Sequence, residues 1–441
     1  MRRLLVIVVS ISLAAGCRSK PTPSTPATPP EKSKVSVKQP PASVPAVPAR
    51  PTGNPQPPAA AAELCAGRRH TCVRLSSGAV HCWGENSQGQ LGDGTTDKSS
   101  QRHMGDLPPA GRARPVAVAL PRPARQIACG EEHSCARLAD GTVQCWGDNE
   151  EGQLGDGSNT DRNRPVAVRG LAGATAIALG QSHGCALLKD GTMRCWGAGS
   201  MGQLGIGSEE AHTAPVQVQQ LPGKVIDLAA GGLTTCARLV KDALRCWGER
   251  PSESPMAKTR ITWPGRIKGA ERAKRMSLGF RHLCFLLEQG WHCMGDNLKG
   301  EVADSTTKKR LVPTPVQTIE GIADLVAGFY GTCARMSDRT VRCWGPVPPN
   351  HVKDPAKMTQ AERAELLVRF GGHMMGEPAD LPPAPWPVPG LAAVVQLVLG
   401  EDFGCALVEG GRVDCWGHGF GGQLGDGTRI YRPTAGPVRW P

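Results

Sequence analysis

Seventeen cysteines in 441 residues are the chain's most reactive side chains, and their spacing must decide between a thiolate nucleophile, a metal site and disulfide bonding. Seven pairs recur, Cys72/Cys82, Cys135/Cys145, Cys185/Cys195, Cys236/Cys246, Cys284/Cys293, Cys333/Cys343 and Cys405/Cys415, leaving Cys17, Cys65 and Cys129. No CxxC occurs, whereas structural zinc sites usually draw close thiolate pairs from one short loop. So many cysteines without metal spacing point to an oxidising compartment and to disulfides. His70, His133, His183 and His282 each stand two residues before a cysteine, which makes a His/Cys metal ring conceivable. The histidine is missing before Cys236, Cys333 and Cys405, and the cysteines are better used in pairs, so no metal and no cofactor is expected. Asp156–Asp161 (DGSNTD) offers alternate oxygens but falls far short of a calcium loop and reads as a solvated turn. No phosphate-binding glycine loop, no GxSxG and no recurring pair of acids is found, so no catalytic residue is assigned.

The elements that position the cysteines are hairpins. In the stretch from Ile127 to Gly157, strands are expected at Ile127–Gly130, Ser134–Leu138, Thr142–Trp146 and Pro165–Val168, with the middle two joined across Asp140-Gly141. Ser77-Gly78, Asp190-Gly191 and Gly410-Gly411 repeat that turn chemistry. Across such a hairpin the paired cysteines oppose one another, close enough for a bridge. Each bridge closes a short loop and stabilises by roughly 2.5 to 3 kcal/mol on the loop-entropy model. The fifth pair, Cys284/Cys293, is one residue shorter, which suggests a tighter turn. Cys65 and Cys129 lie on corresponding first strands but one residue out of register, so they point to opposite faces. If the sheets stack face against back, a Cys65–Cys129 bridge between repeats follows; two buried free thiols are the alternative.

The hairpin belongs to a repeat with a period near 50 that runs from Leu64 almost to the C-terminus, its closest copies at Ile177–Gly207 and Leu397–Gly427. With 55 Gly, 39 Pro and 4% aromatics, the chain suits short strands and tight turns, an all-β class. Trp83, Trp146, Trp196, Trp247, Trp344 and Trp416 fall at one strand position, with Met294 in the fifth copy, and read as packing between sheets. The net charge of +12 is scattered through the repeats rather than gathered in a stripe, so nucleic acid is not expected as a partner.

Before the repeats, Met1–Gly16 carries Arg2, Arg3 and the apolar run Leu4–Leu13, the anatomy of a cleaved export signal and too short for a membrane span. Its ending, LAAGC, resembles a bacterial lipoprotein signal, which implies acylation at Cys17 and membrane attachment through lipid. Ala14 stands where that pattern favours Leu, and an ordinary secretory signal is the alternative. Arg18 after the cysteine leans, by the same resemblance, towards the outer membrane. Residues 17–63 are rich in Pro, Ala, Ser and Thr and cannot bury enough surface to offset the entropy of ordering; an extended, passive stalk is expected, up to roughly 140 Å at about 3.1 Å per residue. Residues 64–441 then form the repeat domain, with an insertion at about Pro346–Pro389 that holds a short helix signalled by Thr359–Glu362 and followed by Leu366, Leu367 and Phe370.

The combination GxxHTCxLxxDGxVxCWGxNxxGQLGxG followed by PVxV resembles the repeat of the regulator of chromosome condensation family. The match is most specific at Gly89–Gly92, Gly152–Gly155, Gly202–Gly205 and Gly422–Gly425, and the added cysteine pair resembles secreted bacterial members. The resemblance implies a seven-bladed β-propeller of four-stranded blades, in agreement with seven cysteine pairs. Pro437-Val438-Arg439-Trp440 is a spare copy of PVxV, so the C-terminus is expected to close the ring beside the first repeat.

These readings converge on a cell-envelope lipoprotein, a monomer that serves as a binding scaffold for an unidentified protein partner. The insertion offers Phe370, Met374, Met375 and Trp386 as apolar anchors, against the plainer reading that they tuck onto the blade. An enzyme acting on envelope polysaccharide or peptide is the second reading, for which an acidic cluster in the central channel would speak. Inhibition of a secreted enzyme such as a β-lactamase resembles what some secreted relatives do and falls within the binding class. Nucleotide exchange on a small GTPase, suggested by the family, sits poorly with export.

Overall fold

Gly141 adopts φ 80° at the Asp140-Gly141 turn, and Asp140 Oδ1 accepts from the amide and hydroxyl of Thr142, so the chain reverses tightly and sets Cys135 directly opposite Cys145. The same register, cysteine against cysteine, holds in all seven hairpins. A computed structural model describes residues 59–97, 111–240, 244–250, 259–316, 319–345 and 385–441. In it each hairpin is flanked by an inner and an outer strand, giving seven four-stranded antiparallel sheets. In the first blade the order is β1 (Ala61–Ala66), β2 (His70–Leu75), β3 (Val80–Gly84) and β4 (Arg112–Val118). The other blades span 124–167, 174–217, 225–266, 275–315, 322–387 and 394–437. The inner strands touch one another in sequence from the first blade to the seventh, and the seventh touches β1, so the ring is closed.

Each blade buries both faces against its neighbours, which is why β2 and β3 are buried almost throughout instead of alternating. The tryptophans expected between sheets lie there, those of blades one to four and seven fully enclosed. Closure involves no strand exchange. The seventh blade supplies its own four strands, and Val438 and Trp440 then join Leu64, Val73, Leu75 and Trp83 in one apolar cluster. Gln396 clamps the joint by accepting from the Leu64 amide at 2.9 Å and donating to the Leu64 carbonyl at 3.0 Å.

Strand boundaries in the second blade are Ala124–Cys129, His133–Leu138, Val143–Gly147 and Arg162–Ala167, shifted by up to three residues from the sequence reading. A register shift between Ala124 and Gln126 accounts for the early start of the inner strand. Likewise β1 begins at Ala61, inside the segment read as stalk. The segment read as an insertion to Pro389 contains Trp386–Pro387, the short outer strand of blade six, with Trp386 opposite Cys343.

Every blade carries its own covalent clip. From blade one to blade seven the bridges are Cys72–Cys82, Cys135–Cys145, Cys185–Cys195, Cys236–Cys246, Cys284–Cys293, Cys333–Cys343 and Cys405–Cys415, with Cα–Cα separations of 4.0 to 4.1 Å. The shorter spacing of Cys284 and Cys293 is absorbed in the turn, where Leu287 pairs directly with Gly290, and the two cysteines still face each other. Cys65 joins Cys129 across blades one and two at 5.5 Å, so neither is a free thiol. Cys17, with the segments read as export signal and most of the stalk, lies outside the described residues.

Candidate functional site

The meander fixes which loops share a face. The connections from first to second strand and from third to fourth strand leave on one side of the ring, and the hairpin turns and inter-blade links leave on the other. On the first side the seven inner turns converge on the axis. Each turn opens with a glycine, Gly67, Gly130, Gly180, Gly231, Gly279, Gly328 and Gly400, and most of these positions leave no room for a Cβ. At Gly67, Gly130, Gly180 and Gly279 it would strike the histidine three residues on, and at Gly400 the ring of Phe403. Successive turns are laced by backbone bonds: Arg68 N to Glu131 O, Glu131 N to Gln181 O, Gln181 N to Gly232 O, Phe280 N to Gly328 O and Glu401 N to Arg68 O, all between 2.8 and 3.1 Å. Five of the seven junctions around the axis share this bond.

The side chains that follow each glycine differ from blade to blade, and they make the site. Arg68 of blade one pairs with Glu131 of blade two at 3.2 Å and with Glu401 of blade seven at 2.9 Å, and Arg69 also reaches Glu401 at 3.1 Å. Across the axis, blades five and six supply Phe280, Phe329 and Tyr330. The two phenylalanine rings stack at 5.3 Å, Arg281 lies over Phe280, and Lys299 Nζ sits 3.9 Å from the centre of the Tyr330 ring. Between these walls lies an open cavity of about 110 Å³, its apolar lining including Leu179, Leu278 and Leu399, its polar lining including Glu131 and Gln181. Burial raises the Glu132 carboxyl to about 7, helped by Glu85, Glu131 and Asp148 and opposed by Arg68. Burial also raises Glu131 against the pull of Arg68. An acidic group is thus present at the channel mouth, part of it neutralised by Arg68 and Arg69.

The histidines take no part in this chemistry. Nε2 of His70, His183 and His282 lies 2.8 Å from a hydroxyl of the next blade, Ser134, Thr235 and Thr332 respectively. Full burial holds the imidazoles of His70 and His133 near 3 and those of His183 and His282 near 4, so they are neutral packing groups. Cys65, Cys72 and Cys129 bring three sulfurs close together, but each is held in a disulfide, Cys72 with Cys82 and the other two with one another. In the DGSNTD loop Asp156 accepts from Ser158 and Arg162 and Asp161 from the Asn149 amide, the bonding of a turn.

Of the four residues expected to anchor a partner, Phe370, Met374 and Met375 lie outside the described residues, as does the expected helix. Trp386 corrects the expectation: it is 9% exposed and packs with Cys343, Val388, Val394 and Leu397 between blades six and seven.

Sequence reading missed the mouth residues, although they carry a signal. They occupy one offset after a recurring turn glycine, and that offset reads Arg-Arg, Glu-Glu, Gln-Ser, Gly-Leu, Phe-Arg, Phe-Tyr and Glu-Asp in an otherwise repetitive frame. It gave no role to the asparagine of the WGxN segment, which reads MGDN in blade five. Asn86, Asn149 and Asn297 accept from the amides of Leu91, Leu154 and Val302 and donate to the carbonyls of Thr95, Ser158 and Thr306, pinning the outer loop.

Comparison with known proteins agrees with this architecture. One model of the regulator of chromosome condensation repeat matches residues 62–90, 124–153, 174–203 and 394–423, and a second matches 77–137, 140–187 and 190–238. The X-linked retinitis pigmentosa GTPase regulator of Canis lupus familiaris is 36% identical over 89 residues, 20% of this chain and 8% of that protein. The chain thus matches less than a tenth of the length of such relatives. The ultraviolet-B receptor UVR8 of Arabidopsis thaliana is 26% identical over 419 residues, covering 84% of this chain and 79% of the receptor. Among solved structures, Prp20p of Saccharomyces cerevisiae superposes with a TM-score of 0.64 at 17% identity, covering 86% of this chain and 87% of that one, a likeness of fold.

Proposed function

The chain carries the repeats of the regulator of chromosome condensation family, and from that premise we propose that it is a binding scaffold of the cell envelope that engages a protein partner through its channel-mouth face. The observation that carries the reading is the contrast between uniform frame and varied side chains. Seven equivalent turns are held by the same glycine, while charges and aromatic rings change from turn to turn around one opening. Recognition needs that combination of a rigid frame and a particular surface. The structure of Prp20p is described together with its binding to Gsp1p and histones, so the same fold serves protein partners there.

Eight disulfides speak for an oxidising setting outside the cytoplasm. No helix among the described residues is long and apolar enough to cross a membrane. Acylation at Cys17, with residues 18–60 as the connecting stalk, supplies attachment in this proposal. The chain enters the ring at Ala61, at the end of β1 opposite the mouth.

Affinity capture from envelope extract tests the reading. The wild-type chain should retain a partner that the double variant Phe280→Ala/Phe329→Ala loses, while Ile226→Ser on the opposite face retains it. Equal capture by all three proteins would overturn the assignment of the face. An enzyme acting on envelope polysaccharide or peptide has one observation in its favour, the Glu132 carboxyl protonated near neutral pH beside Glu131. Turnover of cell-wall glycan by the purified chain, abolished by Glu132→Gln, would replace the binding reading.

A further inference from the structure

We propose that the mouth cavity receives one cationic side chain, an arginine or lysine of the protein partner, its stem against Phe280 and Phe329 and its charge met by Glu131 and Glu132. This rests on the binding reading above and deepens it. Size is the first argument. A cavity of about 110 Å³ holds a single long side chain and is far below the several hundred cubic ångströms that a cofactor-sized ligand occupies.

Chemistry is the second argument. The lining is apolar on the floor, at Leu179, Leu278 and Leu399, and aromatic on the side of blades five and six. Such walls suit an aliphatic stem, while the tip of that stem must end in something the rim can pair. Glu131 lines the cavity, and Glu132, the next residue of the same turn, stands outside the lining with Glu85 and Asp148 as further negative neighbours. Arg68 is the cation in reach of Glu132, and it is already divided between Glu131 and Glu401. Burial first and the acidic neighbours second raise the Glu132 carboxyl, and a cation brought beside Glu131 would offset the second of these. The aromatic wall does not supply that cation itself. Lys299 stands over Tyr330 and Arg281 over the Phe280 ring, which leaves the Glu131–Glu132 side without a second positive partner among the described residues.

Net charge makes the proposal easy to separate from non-specific attraction. At +12 the whole chain draws acidic polymers and repels basic ones, so a preference for a basic peptide must come from a local site. The test is fluorescence anisotropy with the full chain and labelled hexa-arginine, hexa-lysine and hexa-glutamate at matched ionic strength. At least one basic peptide should bind tenfold or more tightly than hexa-glutamate. The preferred peptide should lose at least tenfold in Glu131→Gln/Glu132→Gln and in Phe329→Ala. Gln181→Lys, a rim substitution that places a cation at the mouth without touching the core, should do the same, and Glu288→Gln on the far face should change nothing.

Equal or tighter binding of hexa-glutamate, absence of binding by both basic peptides, or indifference to Gln181→Lys would each overturn the inference. Should the basic peptide bind as expected while envelope capture ignores the mouth, the site stands and the scaffold reading falls. The converse sinks the site alone.

Discussion

Blades seven, one, two and three form one arc of the ring, blades four, five and six the other, and the two arcs are joined differently. In the first arc the glutamine of GQLG presents its carbonyl to the tryptophan of the next blade. Gln423 accepts from Trp83 Nε1, Gln90 from Trp146, Gln153 from Trp196 and Gln203 from Trp247, each at 2.9 Å. The second glycine of the motif adopts φ between 66 and 70° and lies so near that indole that a Cβ there would come within about 3 Å of it. GQLG is therefore a joint between blades and not a property of the blade that carries it. Blade four lacks the motif, and Met294 replaces the indole of blade five. Blade five reads GEVA, with Ala303 at φ 59° where the others have glycine, and the Nε1 atoms of Trp344 and Trp416 have no partner among the described residues. Where this joint is lost, the aromatic wall of the mouth appears, at Phe280, Phe329 and Tyr330. Among the described residues five large exposed apolar side chains, Ile226, Val240, Trp263, Leu298 and Val312, lie on these blades at various faces, against Val395 and Ile430 on blade seven. The repeats that keep their motif hold the ring, and those that lost it carry much of the distinctive surface.

Denaturant unfolding of paired variants would break or sharpen that contrast. The largest effect is expected at the joint glycines. Gly155→Ala combines left-handed strain with a clash against Trp196 and should cost about 3 kcal/mol, whereas Ala303→Gly should stabilise by about 1 kcal/mol. Similar shifts of the urea midpoint in the two variants would mean that the arcs are joined alike. The disulfides should not distinguish the arcs, because each hairpin clip lies within one blade. Replacing Cys135/Cys145 or Cys284/Cys293 by alanine should cost about 2.5 to 3 kcal/mol in either case. A cost at the second pair below half that at the first would show that blade five is loose internally as well.

Acid should act mainly on the first arc, which holds three of the four strand histidines His70, His133, His183 and His282. Their folded values, near 3 to 4, lie below the ordinary 6.5. The unfolded chain therefore binds more protons below pH 6.5, and stability falls as pH drops, by about 2 kcal/mol per imidazole at pH 5. Both ring nitrogens of His133 lack partners among the described residues, since blade three offers Gly184 where blades two, four and six offer a hydroxyl, and blade seven places Phe403 at the equivalent site. His133→Phe should stabilise by about 2 kcal/mol more at pH 5 than at pH 8; equal effects at both pH values would exclude the titration. The smallest difference expected is between Trp146→Phe and Trp416→Phe. The former should cost about 1 kcal/mol more, the worth of one buried N–H bond.

Much of the ring was legible in the sequence because its signals are local and repeated. Asp-Gly turns fix hairpin register, cysteines mark opposed positions, and the period gives the blade count. The offset of Cys65 against Cys129 was readable for the same reason, as one residue of slip on a pleated strand reverses the face. The mouth was not legible as a site, because Arg68, Glu131, Phe280, Phe329 and Glu401 come from five blades and meet only when the ring closes. Trp386 was misjudged because two strand residues between prolines carry no alternation and sit at the end of a polar segment. Without its neighbours the indole looked exposed.

The bridge between Cys65 and Cys129 also changes how the ring would bear tension. β1 is an edge strand, held laterally to β2 by backbone bonds, and a pull on the preceding chain would unzip such a strand one bond at a time. The covalent link near its far end passes the load into the neighbouring blade after only a few residues have peeled. Further unravelling would require a sulfur–sulfur bond to break, so the domain would resist tugging at its N-terminal side far better than its hydrogen bonds alone allow.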